Sequence, residues 1–299
     1  MHVLILGAAA GGGFPQWNCR CPNCRLYWAG DPRARARSQA SAAFSLDGEK
    51  WLVLGASPDI RQQILDNPAL HPRGADRHTP IAAIGLLNGD IDHVGGLLTL
   101  RERQALELIG TQTTQEALAA SPIFSALNPD FVLRRAVALE ESVETAAGLM
   151  LRLFAVPGKV PLWQEGQDVE IGGLGEATVG ALIEGGGRRA YYIPSCAAAT
   201  EALLAELDGA DLLLFDGTCW EDDEMIRLGL GPKTAHRMGH LSMNGPQGAI
   251  VGLASARIGQ RVFIHINNSN PVLIDGAPER GVAEAAGWRI AEDGMEIEL

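Results

Sequence analysis

The apolar residues of this chain come in short runs, and this spacing excludes most folds. Runs of strand length, each followed by a turn or by a stretch with helical spacing, recur evenly over the 299 residues. No internal repeat, low-complexity tract or long linker separates them. An even mix of strands and helices favours one layered α/β domain, and a chain of this length can bury a substantial core.

Turn residues and periodicity place the individual elements. Ser57-Pro58 indicates the start of a helix, and Asp47-Gly48 indicates a hairpin between two strands. The predicted strands are residues 3–6, 42–46, 51–55, 81–87, 149–156, 176–184, 189–193, 212–215 and 261–266. The predicted helices are residues 59–65, 97–108, 113–127, 200–207 and 245–253, and a final hairpin is predicted over 288–299 around Asp293-Gly294.

Charge and hydropathy exclude two classes of partner. The net charge of −12 argues against a nucleic-acid surface, which needs clustered Lys and Arg. No apolar run approaches the ~20 residues that span a bilayer, and the first residues lack a basic leader. We therefore expect a cytoplasmic protein without membrane insertion; its oligomeric state is open, with a homodimer as one candidate. The basic cluster Arg33, Arg35 and Arg37 either solvates a loop or holds an anionic group.

The strand predicted over 81–87 runs into an acidic loop, Asn88-Gly-Asp90-Ile-Asp92-His93. Asp90 and Asp92 are two residues apart, so in extended chain their side chains point the same way, and a local turn brings His93 beside them. Two carboxylates and an imidazole suit iron, manganese or zinc. The alternative is an Asp-rich turn in which Asp92 caps a helix.

Three of the five cysteines lie close together, in Cys19-Arg-Cys21-Pro-Asn-Cys24. Thiolates at this spacing repel one another unless a cation binds them, and zinc does so at about 2.3 Å from each sulfur. Three sulfurs do not complete a tetrahedral site, so a fourth ligand must come from elsewhere. The alternative is three buried or redox-active cysteines.

Polar groups also follow several other apolar strands. Ser195 and Cys196 follow Tyr191-Tyr-Ile, and Phe215-Asp-Gly-Thr ends a strand in the same way. His265 ends the strand predicted over 261–266, and His240 lies just before a predicted helix. Since catalytic groups collect on loops held by a rigid sheet, we expect His93, His240 and His265 to share one site.

This order of motifs resembles the metallo-β-lactamase superfamily, whose signature loop reads His-x-His-x-Asp-His. Here Asn88 and Asp90 stand at the first two histidine positions, and His93 ends the loop. Gly239-His240-Leu-Ser resembles the superfamily's late Gly-His-Ser/Thr element, and His265 corresponds to its last ligand histidine.

Several motifs occur jointly in one family of that superfamily. The cysteine knuckle, the variant loop 88–93, Met238-Gly-His and the stretch 263–271 resemble the coenzyme PQQ synthesis protein B family from end to end. The resemblance implies a single domain over 1–299, a four-layer αββα sandwich, with a Cys-rich structural zinc insert near residues 17–28. Related phosphodiesterases close such a zinc site with a histidine three residues after the last active-site histidine. That position here is Asn268, so Asn268 or His236 is expected as fourth ligand.

The resemblance also implies a departure from two-metal hydrolases. The superfamily's middle histidine falls near residues 156–161, where there is none, and its bridging Asp falls at 194–196, which reads Pro-Ser-Cys. One ion is therefore expected, held by Asp90, Asp92, His93 and His265.

The resemblance implies an iron-dependent hydroxylase for this single ion. Fe(II) and O2 would oxidise the tyrosine ring of a substrate derived from a cross-linked glutamate–tyrosine peptide. His240 is expected as a catalytic proton shuttle, Ser195 and Cys196 as substrate-binding residues, and Arg33 to Arg37 as weaker candidates for the substrate's carboxylates. The rival functions are a metallo-hydrolase or phosphodiesterase, and a carrier in solution that assists transport of PQQ or its precursor.

Overall fold

The computed structural model describes residues 1–161, 165–166 and 170–299. In this part of the chain, two mixed sheets of seven strands each form the centre of the molecule. Strands and helices are numbered below in chain order.

The first sheet is antiparallel at one end and parallel at the other. Its strands are β1 (His2–Gly7), β2 (Ser41–Ser45), β3 (Trp51–Leu54), β4 (Ile81–Gly85), β5 (Leu106–Gly110), β6 (Val132–Ala136) and β14 (Glu296–Glu298). Their spatial order is β14-β1-β2-β3-β4-β5-β6, antiparallel from β14 to β3 and parallel from β3 to β6. β2 and β3 form the hairpin that Asp47-Gly48 predicts.

The second sheet repeats this division. Its strands are β7 (Ser142–Glu144), β8 (Met150–Ala155), β9 (Val179–Gly185), β10 (Arg188–Ile193), β11 (Ala210–Asp216), β12 (Ile258–Ile264) and β13 (Trp288–Ile290). Their order is β13-β12-β11-β10-β9-β8-β7, antiparallel from β7 to β10 and parallel from β10 to β13.

The helices are short. The α-helices are α1 (Pro22–Trp28), α2 (Ile60–Asp66), α3 (Ile91–Val94), α4 (Gln112–Ala120), α5 (Glu201–Leu207), α6 (Glu224–Arg227), α7 (Ala249–Gly252) and α8 (Pro278–Ala285). Single 3-10 turns span Pro68–Leu70, Gly95–Leu98, Pro122–Ala126, His236–Met238 and Pro271–Leu273. None of the helices that the structure describes combines the length and apolar character needed to cross a membrane.

Three apolar clusters hold four layers together. The central cluster lies between the sheets and joins Ile5 of β1 to Leu212 of β11. On the outer face of the first sheet, Leu118 of α4 packs in a second cluster, and on the outer face of the second sheet Leu203 of α5 and Phe263 of β12 belong to a third. Since each sheet buries one face on the other and one under helices, the four-layer αββα sandwich is confirmed.

Two predicted elements were wrong. Residues 97–108 do not form a helix: the 3-10 turn Gly95–Leu98 is followed by β5, all five residues of which are buried. A parallel strand covered on both faces shows no alternation, so its apolar run is indistinguishable from a buried helix in the sequence. The final hairpin is also wrong, because β13 pairs with β12 and β14 with β1, in different sheets.

The Asp293-Gly294 turn crosses from one sheet to the other. The carboxylate of Asp293 accepts hydrogen bonds from the backbone N–H groups of Ala8 (3.0 Å) and Ser38 (2.7 Å), and these bonds hold the turn against the first sheet.

Two predicted helices are shorter in the structure. The helix predicted over 113–127 is interrupted at Ser121, because Pro122 has no N–H to continue it. The helix predicted over 245–253 shortens to α7.

Candidate metal centre

Loops from both sheets meet at one edge of the sandwich and bring three predicted ligands together. Asp92 and His93 lie in α3, which follows β4 of the first sheet, and His265 directly follows β12 of the second. Oδ2 of Asp92 lies 3.1 Å from Nε2 of His265 and 3.9 Å from Nε2 of His93. Donors bound to one ion at about 2.0–2.2 Å are separated by about 3–3.5 Å. The Asp92–His265 distance falls in this range, and all three donor atoms lie within 4.8 Å of one another, so a small movement of His93 would complete a set of ligands for one cation.

Asp90 lies differently from the expectation. It is the extended residue before α3, whereas Asp92 lies in the first helical turn, so the two carboxylates do not share an extended segment. The converging ligand set, within 4.8 Å, comprises Asp92, His93 and His265, while Asp90 lines the same cavity. The alternative in which Asp92 caps the helix is wrong, because Asp90 occupies the cap position.

The backbone at the end of β3 fixes α3. Gly96, just after α3, lies so close to the chain that follows β3 that a Cβ on this residue would stand 2.0 Å from the carbonyl oxygen of Ser57. The N–H of Gly96 donates to Ala56 O (2.8 Å), and the N–H of Ala56 donates to His93 O (2.7 Å). Only glycine allows this approach, which holds the His93 ring in place.

His265 is held in an uncommon backbone conformation, with φ of 57°. Such strain persists only where the surroundings enforce it. Its Nδ1 lies 3.0 Å from Thr218 Oγ1, and that hydroxyl donates to Oδ1 of Asp216 (2.7 Å). Because the Thr218 hydroxyl donates its proton to Asp216, its oxygen accepts a hydrogen bond from Nδ1–H of His265. This contact orients the ring so that Nε2 of His265 faces Asp92.

His240 belongs to the same network. Its Nδ1 lies 2.8 Å from Oδ2 of Asp216, and its ring stacks on that of His265 with centroids 5.2 Å apart. Asp216 is completely buried, so the carboxylate fixes Nδ1 as the donor and leaves Nε2 of His240 as a base. His240 lines the cavity above the three ligands and also a second cavity of about 840 Å³.

Charge–charge contacts shift the pKa values at the centre. Burial alone would raise the pKa of Asp92, but His93 and the hydrogen bond from His265 hold it well below its ordinary value. Burial alone would lower the pKa of His265, but Asp92 raises it. Burial lowers the pKa of His93. A cation at the centre would take the place of the proton between Asp92 and His265.

The cavity above these ligands has a volume of about 370 Å³. Its described wall includes Ser195 but not Cys196. Cys196 is fully buried behind it, where its N–H donates to Oδ2 of Asp216 (3.0 Å) and burial raises the thiol pKa to about 12. Cys196 therefore positions Asp216 instead of lining the pocket as expected.

The cations of this cavity are not those that the sequence suggested. Lys159 and Lys233 line it, together with Glu165. Arg33 pairs with Asp31, and Arg35 and Arg37 pair with carboxylates of the C-terminal region. The expectation that this arginine cluster binds substrate is therefore not supported, because the protein's own carboxylates occupy it.

The cysteine knuckle forms a second convergent group. The sulfurs of Cys19, Cys21 and Cys24 lie within 4.8 Å of one another, and the side-chain amide of Asn268 points at all three, with Nδ2 at 3.1, 3.6 and 3.5 Å. The two ends of an amide are interchangeable by a flip, which would turn Oδ1 toward the sulfurs. His236 lies elsewhere, in the wall of the larger cavity.

The sequence assigned no role to Asp216 or Thr218 and did not point to the lysines of the cavity wall. The polar end of β11, Phe215-Asp-Gly-Thr218, was visible as a signal. It gave no indication that Asp216 would lie beside two histidines from later in the chain. The parallel pairing of β11 with β12 brings His265 there, and hydrogen bonds from Leu241 N–H to Cys196 O and from Met243 N–H to Cys219 O hold the loop of His240.

Comparison with known proteins agrees with this geometry. The model of the β-lactamase superfamily domain matches residues 50–266. Coenzyme PQQ synthesis protein B of Methylorubrum extorquens is 56% identical over 299 residues, with both chains covered completely. The chain belongs to the coenzyme PQQ synthesis protein B family.

Other relatives extend this comparison. The family's protein from Xanthomonas oryzae pv. oryzae is 48% identical over 300 residues, again with complete coverage. The crystal structure of Zn2+-bound PqqB from Methylobacterium extorquens superposes with a TM-score of 0.98 at 56% identity and full coverage of both chains. A diphosphatase of the PhnP family has a TM-score of 0.69 at 20% identity, covering 100% of this chain and 97% of its own, and so shares the fold.

Proposed function

We propose that this protein acts in the synthesis of PQQ as an iron-dependent hydroxylase of the tyrosine ring in a cross-linked glutamate–tyrosine precursor. The observation that carries the proposal is the convergence of Asp92, His93 and His265 at the base of a cavity. Two imidazoles and one carboxylate with an open side are the donor set of non-heme Fe(II) oxygenases. The name of its relatives, coenzyme PQQ synthesis protein B, supports the pathway.

The residues fit a bound ion. The centre is buried, its donors are imidazoles and a carboxylate, and the Asp92 carboxylate, 3.1 Å from Nε2 of His265, raises the pKa of that histidine as it would attract a cation. Fe(II) bound there would activate O2, so that one oxygen atom enters the aromatic ring while an external two-electron reductant reduces the other to water. Asp90, on the cavity wall, is a further candidate ligand or a hydrogen-bond acceptor for the substrate.

The side chains around the ion bind the substrate and move its proton. Nε2 of His240 accepts the proton of the substrate phenol, because Nδ1–H is committed to Asp216. The buried carboxylate of Asp216 then stabilises the imidazolium that forms. The hydroxyl of Ser195 lies on the cavity wall and offers a hydrogen bond to the same phenol.

A hydrolase and a carrier fit the site less well than a hydroxylase does. Two-metal hydrolysis needs ligands that hold two ions about 3.5–4 Å apart. The segments expected to hold the middle histidine and the bridging Asp, residues 156–161 and 194–196, contain Lys159 and Ser195, and both side chains line the cavity. A lysine near a dication opposes a second ion. A carrier of PQQ would not need the oriented base that His240 and Asp216 form.

We further propose that Cys19, Cys21 and Cys24 bind a structural zinc, with Asn268 as fourth ligand through Oδ1. The amide points at all three sulfurs, and the contact lies between the first helix and the loop after β12. Zinc there would tie this loop, which carries His265 three residues earlier, to the Cys-rich segment.

The test is a product assay. Protein purified without oxygen is mixed with Fe(II), a two-electron reductant such as ascorbate, O2 and the cross-linked glutamate–tyrosine dipeptide, and catechol formation is followed by mass spectrometry. We expect product from the parent protein, none from His93→Ala or His265→Ala, and parent-like product from the control Glu284→Gln, which removes an exposed ion pair with Arg280. Binding of the dipeptide without product would favour a carrier, and release of a hydrolysis product would favour a hydrolase.

A further inference from the structure

A carboxylate of the protein itself occupies a cluster of cations in the wall of the metal-centre cavity. Oε1 of Glu165 lies 2.9 Å from Nζ of Lys159, and Oε2 lies 3.2 Å from Nζ of Lys233 and 3.7 Å from Nη2 of Arg237. Only 10% of the Glu165 side chain is exposed. Glu165, Lys159 and Lys233 line the same cavity as Asp92 and His265.

The cluster is built into the fold. The carbonyl of Lys159 accepts a hydrogen bond of 2.6 Å from the hydroxyl of Thr178. The side chain of Lys159 is only 13% exposed. Its aliphatic stem lies against Gly239, where a Cβ would stand 3.0 Å from Cγ of the lysine. Gly239 also has φ of 91°, so a larger residue there would be strained and would push the lysine stem aside. Lys159 thus lines the cavity that His240 also lines, with its ammonium group 2.9 Å from Oε1 of Glu165.

Two ammonium groups beside a metal site have no role in holding the metal. Their charge repels a dication, so a function for them must involve an anion. Hydrogen bonds from Lys159 and Lys233 lower the pKa of Glu165, which keeps it ionised in this position. A carboxylate on a ligand would make the same contacts.

We propose that Lys159 and Lys233 bind a carboxylate of the substrate, and that the side chain of Glu165 is an internal substitute which this carboxylate displaces. The site would take an amino-acid-derived polycarboxylate whose phenol reaches His240 when its carboxylate lies between the lysines. The identity of that ligand rests on the proposed function. Glu165 then holds the two lysines in place and apart from other anions until substrate enters.

The proposal is tested by binding, without turnover. The zinc-loaded protein, which cannot reduce O2, is titrated calorimetrically with the cross-linked glutamate–tyrosine dipeptide and with its analogue in which every carboxylate is an amide. Glu165→Gln removes the competitor, so the Kd for the dipeptide should fall about tenfold, which is about 1.4 kcal/mol, one charge-assisted hydrogen bond. Lys233→Met should raise the Kd by about the same factor. Neither substitution should change binding of the amide analogue.

Glu284→Gln serves as the matched control and should leave both Kd values unchanged, because its ion pair with Arg280 is exposed on α8. An unchanged Kd in both Glu165→Gln and Lys233→Met would overturn the proposal. Equal shifts for the dipeptide and its amide, or no binding of the dipeptide to any variant, would also overturn it. Lys233→Met keeps the test decisive if Glu165→Gln does not fold.

The two proposals fail in different ways. Carboxylate-dependent binding without catechol formation would contradict the hydroxylase while the lysine site stands. Catechol formation with a Kd that is indifferent to both substitutions would contradict the lysine site while the hydroxylase stands.

Discussion

The buried carboxylate of Asp216 should be essential to the stability of the site, and Asp216→Asn tests this. The carboxylate accepts hydrogen bonds from the N–H groups of Cys196 and Thr218 (both 3.0 Å), from Thr218 Oγ1 (2.7 Å) and from Nδ1 of His240 (2.8 Å). The side chain is completely buried, so no water can replace a lost partner.

An amide cannot satisfy these four donors. In either orientation its NH2 group faces a backbone N–H, that of Cys196 or that of Thr218, and the charge that strengthened the remaining bonds is gone. A hydrogen bond to a charged group contributes about 1.5–3 kcal/mol, and breaking a buried charged network costs about 3–5 kcal/mol. We therefore expect Asp216→Asn to lower the free energy of unfolding by about 3–5 kcal/mol.

Urea unfolding followed by far-UV circular dichroism measures this difference, with each variant brought to the same metal content. Asp208→Asn is the control, because Asp208 forms an exposed pair with Arg257 and should change the midpoint little. A loss below about 1 kcal/mol in Asp216→Asn, or an equal loss in the control, would show that the network does not bear on stability.

Three further predictions concern the metal sites and the core. Asn268→Ala should lower the zinc content of the purified protein and speed zinc release to a chelator, and Asn268→Asp should restore both; unchanged zinc in Asn268→Ala would remove Asn268 from the ligand set. Affinity for a divalent ion at the centre should fall by up to tenfold per pH unit below the raised pKa of His265, because the ion displaces its proton; a flat profile between pH 5 and 8, roughly, would contradict this. Phe263→Ala should lower the free energy of unfolding by about 3–5 kcal/mol, since the ring is fully buried and stacks 3.8 Å from Trp288; an effect like that of a surface substitution would refute the packing argument.

Local chemistry was readable from the sequence where it depended on neighbouring residues. The Ile81–Gly85 strand followed by Asp92 and His93 predicted ligands at a sheet edge, and the structure brings them to His265 as expected. The alternation of strands and helices predicted the layers. In each case the pattern lay within a dozen or so residues, where strand and turn preferences are strong.

Features that depend on distant pairing were not readable. Asp216 meets His240 across 24 residues of sequence, and Glu165 meets Lys233 across 68. A β-turn at Asp293-Gly294 is compatible with a hairpin or with a crossing between sheets, and local sequence does not distinguish them. Arg35 looked available to an anion because nothing nearby in sequence reveals Asp275.

The central claim is that oxygen chemistry takes place at the ion held by Asp92, His93 and His265. The most direct measurement is the mass of the catechol formed by Fe(II)-loaded protein and a reductant such as ascorbate from the glutamate–tyrosine dipeptide under isotopically heavy O2 in ordinary water. The account predicts that the new hydroxyl carries the heavy isotope, and that His265→Ala forms no such product. A product whose added oxygen comes from water, or heavy product formed equally by His265→Ala, would contradict it.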